Sequence, residues 1–595
     1  MKIKRILALV CALLLVLALF SGCGGAGNTT PESATKAPEA SKAPAASKAP
    51  EASSSPATAA PAADDGVFYH YAADNNPNVD ANKMPTAAYD YELPLTNSDE
   101  VLTMWTTCWV NIAFGEEGYA ESPFPTELEN MTGVHVEYDL VSGESRRENF
   151  SVLLASNDLR DIMSGAASCY TGGNFKKAVL EEEYFINIYD YREYCPNYIW
   201  QITYDEKDTL TRAKTFPEKD LITSFYFLWD QGMIQMDYFI HGDWLAKFGM
   251  TNDDVKTFDQ LHDALAACQS QIESCTYPMT YYSTLEMSGV NTWNAYDTFF
   301  CCTGLGQFYV KDGQVMHANM NDNDKALMTM ANQWYNDGLI DPNWASYSNN
   351  QDLPGDAYTM YAYVKMSANG ADEQNASCDP DSDVGWLPVT RPVLYEGQVL
   401  HLGGDLTRTH YGSAAISSTC ANIPLALTWI DWRYSTEGAT YCTWGVEGFT
   451  WEYDENGNRR YTKNFYASEI TNMTTLATGY LANDLVDPAM EYRMDRYAFP
   501  GGEGAVYAVN YWSDYNYDGA YSWPADIVLD DEQQDIVNKY SNDIGTYLKE
   551  NYISFIDNSR SLSEWDSYIE GLKVVGIDQV LEVYQEAYDA YMAKK

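Results

Sequence analysis

Three neighbouring stretches decide the fold: EVLTMWTTCWV (Glu100–Val110), SPFPTELENMTGV (Ser122–Val134) and VHVEYDLV (Val134–Val141). The first is an apolar run that reads as a buried strand entering a loop. The second is a helix, started by Ser122 and its prolines and stopped by Gly133, and the third alternates as a second strand. NFSVLLASNDLRDIMSG (Asn149–Gly165) continues as helix, turn and short strand. Strand alternating with helix predicts an α/β lobe with a largely parallel sheet, whose ligands lie at loops beyond the carboxyl ends of the strands.

The surrounding chain is too long for one such lobe. At 595 residues it calls for two or more, with at least one large core. With 36 Lys+Arg against 85 Asp+Glu, the formal charge is −49, which repels a phosphate backbone and excludes nucleic acid as a partner. The N-terminus reads MKIKR, then an apolar run from Ile6 to Phe20, then Ser21, Gly22 and Cys23. That is the order of a cleaved secretory signal peptide over residues 1–22, too short to span a bilayer. The small residues before Cys23 resemble a bacterial lipobox, which implies a lipid anchor on that thiol. KAPEAS, KAPAAS and KAPEAS then follow in tandem between Lys36 and Ser53, within a low-complexity tether over residues 23–66. The body cysteines contain no C-x-x-C and read mostly as buried thiols, with Cys268 and Cys275 the one local pair.

Further along, TFDQLHDALAAC (Thr257–Cys268) is an amphipathic helix with Phe258, Leu261, Leu265 and Cys268 on one stripe. NDNDKALMTMANQWYNDGLIDPNW (Asn321–Trp344) reads as a helix ended by Gly338. The final helix from Ile577 is expected to bury Ile577, Val580, Leu581, Tyr584, Tyr588 and Tyr591. DENGN (Asp454–Asn458) reads as a hairpin turn. Catalytic signatures are missing: there is no G-x-S-x-G, no G-x-x-x-x-G-K and no H-E-x-x-H. No cofactor is expected. Asp514, Asn516 and Asp518 match the start of a calcium loop, but the twelfth position is Ala525 where a bidentate Glu belongs, so a turn is the favoured reading. The compositional excess is aromatic, with 47 Tyr, 16 Trp and 20 Phe. Indole and phenol rings stack on the C–H faces of sugars as readily as they fill a core.

HGDWLAKFGM (His241–Met250), NDGLIDPNW (Asn336–Trp344), IDWRYSTEGATYCTWGVEGFTWEYD (Ile430–Asp454) and the tail from Ser563 to Tyr591, together with the lipobox and the opening stretches, resemble the large lipoprotein solute-binding components of ABC sugar importers. The likeness extends from about Glu100 to the C-terminus. Its most specific parts are Glu437-Gly438 and Glu447-Gly448, around Trp444-Gly445.

The resemblance implies a periplasmic-binding-protein-like α/β fold of two discontinuous lobes, with a hinge and an interlobe cleft. Lobe 1 is expected over 67–222 and 390–445, and lobe 2 over 223–389 and 446–595. Crossings are expected near Leu221–Phe227, Trp386–Arg391 and Tyr441–Glu447. The implied function is that of a monomeric, membrane-tethered protein outside the cytoplasm, which passes an oligosaccharide or glycoside to the transmembrane subunits of a permease without bond chemistry. A peptide or other polar solute, or a surface glycan hydrolase, is the alternative. Placement after strands and at crossings nominates Trp109, Tyr170, Trp229, Asp230, Trp344, Trp386, Arg408, Trp444 and Glu447 as ligand-binding residues. The chain departs from the family where QSQIESCTYPMTYYST (Gln269–Thr284) replaces a calcium loop found in many relatives, and where His241-Gly242 stands in place of a frequent Arg or Lys.

Overall fold

The computed structural model describes residues 66–593 except 109–117, 173, 283–292, 301–304, 306, 349–351, 380, 382–383, 404–405, 411–412, 467–479, 483–486, 499–501, 515, 525–526 and 528. The signal peptide, Cys23 and the tether lie outside the described residues. In chain order the described strands are β1 (Val101–Cys108), β2 (His135–Ser142), β3 (Ile162–Ser164), β4 (Leu228–Trp229), β5 (Met236–His241), β6 (Phe308–Lys311), β7 (Gln314–His317), β8 (Tyr363–Ser367), β9 (Trp386–Pro388), β10 (Ala414–Ile416), β11 (Trp451–Tyr453), β12 (Arg459–Tyr461) and β13 (Met490–Glu491).

β1 is central in the first lobe, parallel to β2 from Val101↔His135 to Cys108↔Ser142 and parallel to β3. The edge strand β10 runs antiparallel to β3, so the sheet order is β10-β3-β1-β2. The helix Pro123–Thr132 links β1 to β2 and ends at Gly133, whose φ is +70°. A Cβ there would lie 2.1 Å from the Thr96 carbonyl oxygen, so both the backbone angle and the close approach require glycine. The helix Pro196–Thr203 has no cap from its own N-cap residue, Cys195. Asp431, from the helix Ile423–Trp432, supplies it across the core, accepting from the Asn197 and Tyr198 backbone N–H at 3.0 and 2.7 Å and from the Tyr91 hydroxyl at 2.8 Å.

The second lobe is built differently. Its three-stranded sheet, β8-β5-β9, is antiparallel throughout. Helix Phe258–Gln271 packs on it, opened by a capping box between Thr257 and Gln260 and burying Phe258, Leu261, Ala264, Leu265 and Cys268. The core also takes Trp293, Trp334 and Trp344, then Tyr552, Tyr568 and Val583 from the C-terminal helices. The last helix (Ile577–Met592) buries Ile577, Val580, Val583 and Ala587. Leu581, Tyr584, Tyr588 and Tyr591 are only half-buried, flanking the stripe expected of them.

Of the expected crossing stretches, only the end of the first, at Phe227, lies among the segments that run side by side. Phe225 still bridges β10 through Ala414 in the first lobe, Trp386–Pro388 is a strand of the second sheet, and Tyr441–Trp444 ends a helix. The segments 227–230, 408–410 and 489–491 lie side by side instead. Trp229 N–H donates to the Arg408 carbonyl at 2.8 Å, His410 N–H to that of Phe227 at 2.8 Å, and Asp230 N–H to that of Glu491 at 2.9 Å. Core membership follows: Leu228, Ala482, Ala489 and Met490 pack with Leu102 and Ile162, whereas Met233, Val389, Leu400 and Tyr497 belong to the second lobe's clusters. The first lobe therefore keeps residues up to Met490 that the sequence reading assigns to the second. The cause is the hairpin β11-β12, turned at Asp454–Asn458: Trp451 and Tyr461 pack against Trp444. The Asp454 carboxylate accepts the Asn456 and Asn458 N–H at 2.8 Å.

Candidate functional site

A cavity of about 480 Å³ opens where the crossing segments meet the first lobe, lined by Tyr204, Asp205, Lys207, Asp208, Thr209, Leu210, Asp230, Gln231, Gly232, Leu406 and Arg408. Helix Pro196–Thr203 delivers Tyr204 at its C-terminus, and Asp208 caps the next helix, Thr209–Thr215, by accepting the Thr211 N–H at 3.1 Å. That bond uses Oδ1. Asp208 Oδ2 is buried with no hydrogen-bond partner, leaving an acceptor beside the cavity. Arg408 is almost fully buried and spans the base: Nε donates to the Trp229 carbonyl at 2.9 Å, and Nη1 and Nη2 donate to the Gln201 carbonyl and Oε1 at 2.7 and 2.9 Å. Its guanidinium carbon stands 5.2 Å from the centre of the Tyr204 ring, which is 44% exposed.

Charged groups continue along the crossing. Asp230 Oδ1 accepts the Arg493 N–H at 2.9 Å, while Arg493 Nη1 donates to buried Glu491 at 3.0 Å and Nη2 to Gln235 Oε1 at 2.8 Å. Glu491 also accepts from Arg496. Burial pushes the Asp230 carboxyl above the usual carboxylate range, against the pull of the Arg493 N–H and the Arg408 charge. Asp495 is raised by burial as well, with the Trp444 N–H opposing and the Asp230 charge adding to the rise. Beside them Trp229 is buried, with the His410 ring 4.4 Å away and the Arg493 guanidinium 5.4 Å from its centre.

Three nominated residues, Trp229, Asp230 and Arg408, are thus brought together, and Trp444 sits at the margin. Its Nε1 donates to Asp495 at 3.2 Å and its ring stacks on Tyr461 at 4.7 Å. The others are elsewhere. Tyr170 is buried in a first-lobe cluster and donates to Glu182 at 2.6 Å. Trp344 is fully buried against Tyr281 in the second core, and Trp386 packs on His241 and donates to Ser377 at 3.1 Å. Glu447 is exposed beside the β11-β12 hairpin, and Trp109 lies outside the described residues. In the calcium-like stretch, Asp518 accepts from His401 at 2.9 Å and from the Ala520 N–H at 2.9 Å, and the Asn516 amide donates toward the Gly397 and Gln398 carbonyls. Sequence reasoning passes over Tyr204, Asp208, His410 and Arg493. The signal that could have found the last is EYRMDRYAF (Glu491–Phe499), where charges and rings interleave without either core period.

The same architecture recurs in proteins of known structure. A Bifidobacterium longum infantis protein, the HMO-binding ABC-transporter-associated solute binding protein, matches with a TM-score of 0.61 at 15% identity, over 82% of this chain and 99% of its own. The Streptococcus pneumoniae ABC-transporter substrate binding protein FusA, in complex with kestose, matches with 0.59 at 19% identity, over 83% and 100%. This is the fold of the ABC-transporter solute-binding proteins. In sequence, the chain is 24% identical over 511 residues to the fructooligosaccharide ABC transporter substrate-binding protein FusA of Streptococcus pneumoniae serotype 4, spanning 79% of this chain and 87% of that one. No family model matches. Among the described residues, no helix is long and apolar enough to cross a membrane.

Proposed function

We propose that the chain is a solute-binding protein which captures an oligosaccharide or glycoside at the crossing of its lobes and delivers it to an ABC permease. The observation that carries this reading is the crossing cavity itself: an exposed Tyr204 ring, the carboxylates of Asp208 and Asp230 and the Arg408 guanidinium surround a volume suited to one or a few sugar rings. The phenol offers a face for C–H stacking and the carboxylates accept hydroxyl protons. The kinship with a fructooligosaccharide-binding protein over most of both chains supports the same reading. In this proposal Asp230, Arg408 and Trp229 form the floor. The lobes divide at about residues 230, 407 and 491, and closure is a hinge motion about the three crossing segments. Cleavage after residue 22 and lipidation of Cys23 hold the protein as a monomer on the outer face of the cell membrane, and it performs no catalysis.

Thermal unfolding of the purified body over a panel of neutral oligosaccharides and peptides tests this. A true ligand at a hundred times its Kd stabilises by about 2.7 kcal/mol. Shifts with peptides alone remove the carbohydrate claim, and release of reducing ends by catalytic amounts of protein puts a hydrolase in its place. With a ligand in hand, Asp230→Ala is expected to weaken binding about tenfold, beside a loss of about 1 kcal/mol in unliganded stability from the stranded Arg493 N–H.

A further inference from the structure

In the second lobe, away from the crossing cavity, three side chains of metal-binding type converge. His241 ends β5, Asp243 lies in the first turn of the helix Gly242–Lys247, and Cys378 comes from the chain leading into β9. One ligand atom of each lies within 4.8 Å of the other two. All three residues are buried, at 1%, 7% and 8% exposure. Gly242 allows the approach: its N–H donates to the Gly385 carbonyl at 2.9 Å, and a Cβ would lie 2.5 Å from that oxygen and 2.6 Å from Val384 Cγ1. The His241 ring is held flat on Trp244, with centres 4.2 Å apart and planes 6° apart, and Trp386 flanks it at 4.9 Å.

Neither ring nitrogen of His241 has a hydrogen-bond partner, and Asp243 Oδ1 has none either. The Ser377 backbone stands near the imidazole. The nearest charged neighbour is Asp243, whose Oδ2 is 3.9 Å from Nδ1 and accepts a long 3.4 Å bond from the Asp379 N–H. Buried polar atoms without partners oppose folding, and clusters of them in a native protein call for an explanation.

We propose that His241, Asp243 and Cys378 form a binding site for a divalent transition-metal ion of the zinc class. The nitrogen, oxygen and sulfur donors suit that class, whereas calcium and magnesium take oxygen alone. Donors bound at about 2.0–2.3 Å stand roughly 3.5 Å from one another, so the widest pair, within 4.8 Å here, closes by up to about 1.3 Å as the ion binds. The Cys378 thiol gives up its proton to solvent as the sulfur–metal bond forms. The fourth coordination position is left to water. The bound ion ties β5, the helix start and the chain entering β9 together, and its presence does not depend on which solute the crossing cavity takes.

The test is titration of the chelator-treated full chain with Zn²⁺ alone, then with Co²⁺ as a spectroscopic probe. The expected result is one Zn²⁺ per chain and a near-ultraviolet thiolate-to-cobalt absorption. In Cys378→Ser the absorption disappears and Zn²⁺ affinity falls at least tenfold, and Asp243→Asn weakens binding by a similar factor while keeping the absorption. If Cys378→Ser does not fold, X-ray absorption of the zinc-loaded wild-type protein decides, with one sulfur and one imidazole nitrogen expected in the shell. Absence of stoichiometric binding, an absorption that survives Cys378→Ser, or a shell without sulfur overturns the proposal.

Discussion

The two lobes reach similar ends by different routes. The first assembles β1, β2 and β3 from consecutive strand–helix units, each strand parallel to its neighbour and close to it in sequence. The second draws β5, β8 and β9 from Met236, Tyr363 and Trp386 into an antiparallel sheet and covers it with helices that arrive as late as Ile577. Local patterning writes the first kind of lobe, while long-range packing of large rings writes the second. Fully buried tryptophans are shared evenly between the lobes among the described residues, but in the second Trp293 meets three large rings edge-on, those of Tyr281, Phe258 and Trp334.

The difference is put at greatest risk at Trp293. Trp293→Ala is expected to cost about 4 kcal/mol by denaturant titration, since it opens a ring-sized cavity among aromatics that cannot close over it. A loss under about 1 kcal/mol would mean that the second core does not depend on its rings. In the first lobe the sensitive point is polar: Asp431→Ala strands two helix N–H groups and leaves the Tyr91 hydroxyl only a 3.4 Å bond to the Tyr194 carbonyl, and about 2–3 kcal/mol should be lost. Equal tolerance at Asp431 and at an exposed carboxylate would refute the cross-core cap.

Acidity separates the lobes further. Burial pushes Asp431 up to about 7 in the first lobe and Asp324 up to about 6 in the second. Each folded pKa lies above the unfolded value of about 4, so the folded state holds more protons in between, and stability falls as pH rises through that window. The first lobe should weaken from about pH 4 to 7 and the second only to about 6. Asp431→Asn is expected to remove the slope between pH 6 and 7 in unfolding midpoints; an unchanged slope there assigns it to another group. The smallest effect is at the hairpin. Gly457 has a φ of +81°, and no heavy atom lies within 4 Å of where a Cβ would stand, so the backbone angle alone is at issue. Gly457→Ala should cost about 1 kcal/mol in the same denaturant titration.

The same contrast explains what the sequence disclosed. The prolines and the Gly133 stop carried the helix at Pro123–Thr132, and the apolar stripe carried the one at Phe258–Gln271 to within three residues, because both signals act within a few turns. The two-lobe α/β fold was legible through those units and through the family likeness. Trp344, Trp386 and Tyr170 are nominated for a ligand by placement yet lie buried in cores, since a ring's chemistry is the same in either place and its partners come from distant segments. Asp230, nominated at a crossing, and Arg408, nominated by its loop placement, both line the cavity. Tyr204 and Asp208 are not legible in the sequence, because only the fold brings the end of one helix and the start of the next against that crossing.

The chain path also bears on how the protein is made. Because the polypeptide leaves the first lobe near Asp230, returns near Arg408 and leaves again after Glu491, no continuous stretch contains either lobe whole. Tyr238 and Trp293 wait for Tyr568 and Val583 before their core is closed. A chain that emerges N-terminus first therefore exposes unpaired aromatic surface until almost its last helix is out, and it is during that interval, more than in the finished molecule, that it is vulnerable to aggregation and proteolysis.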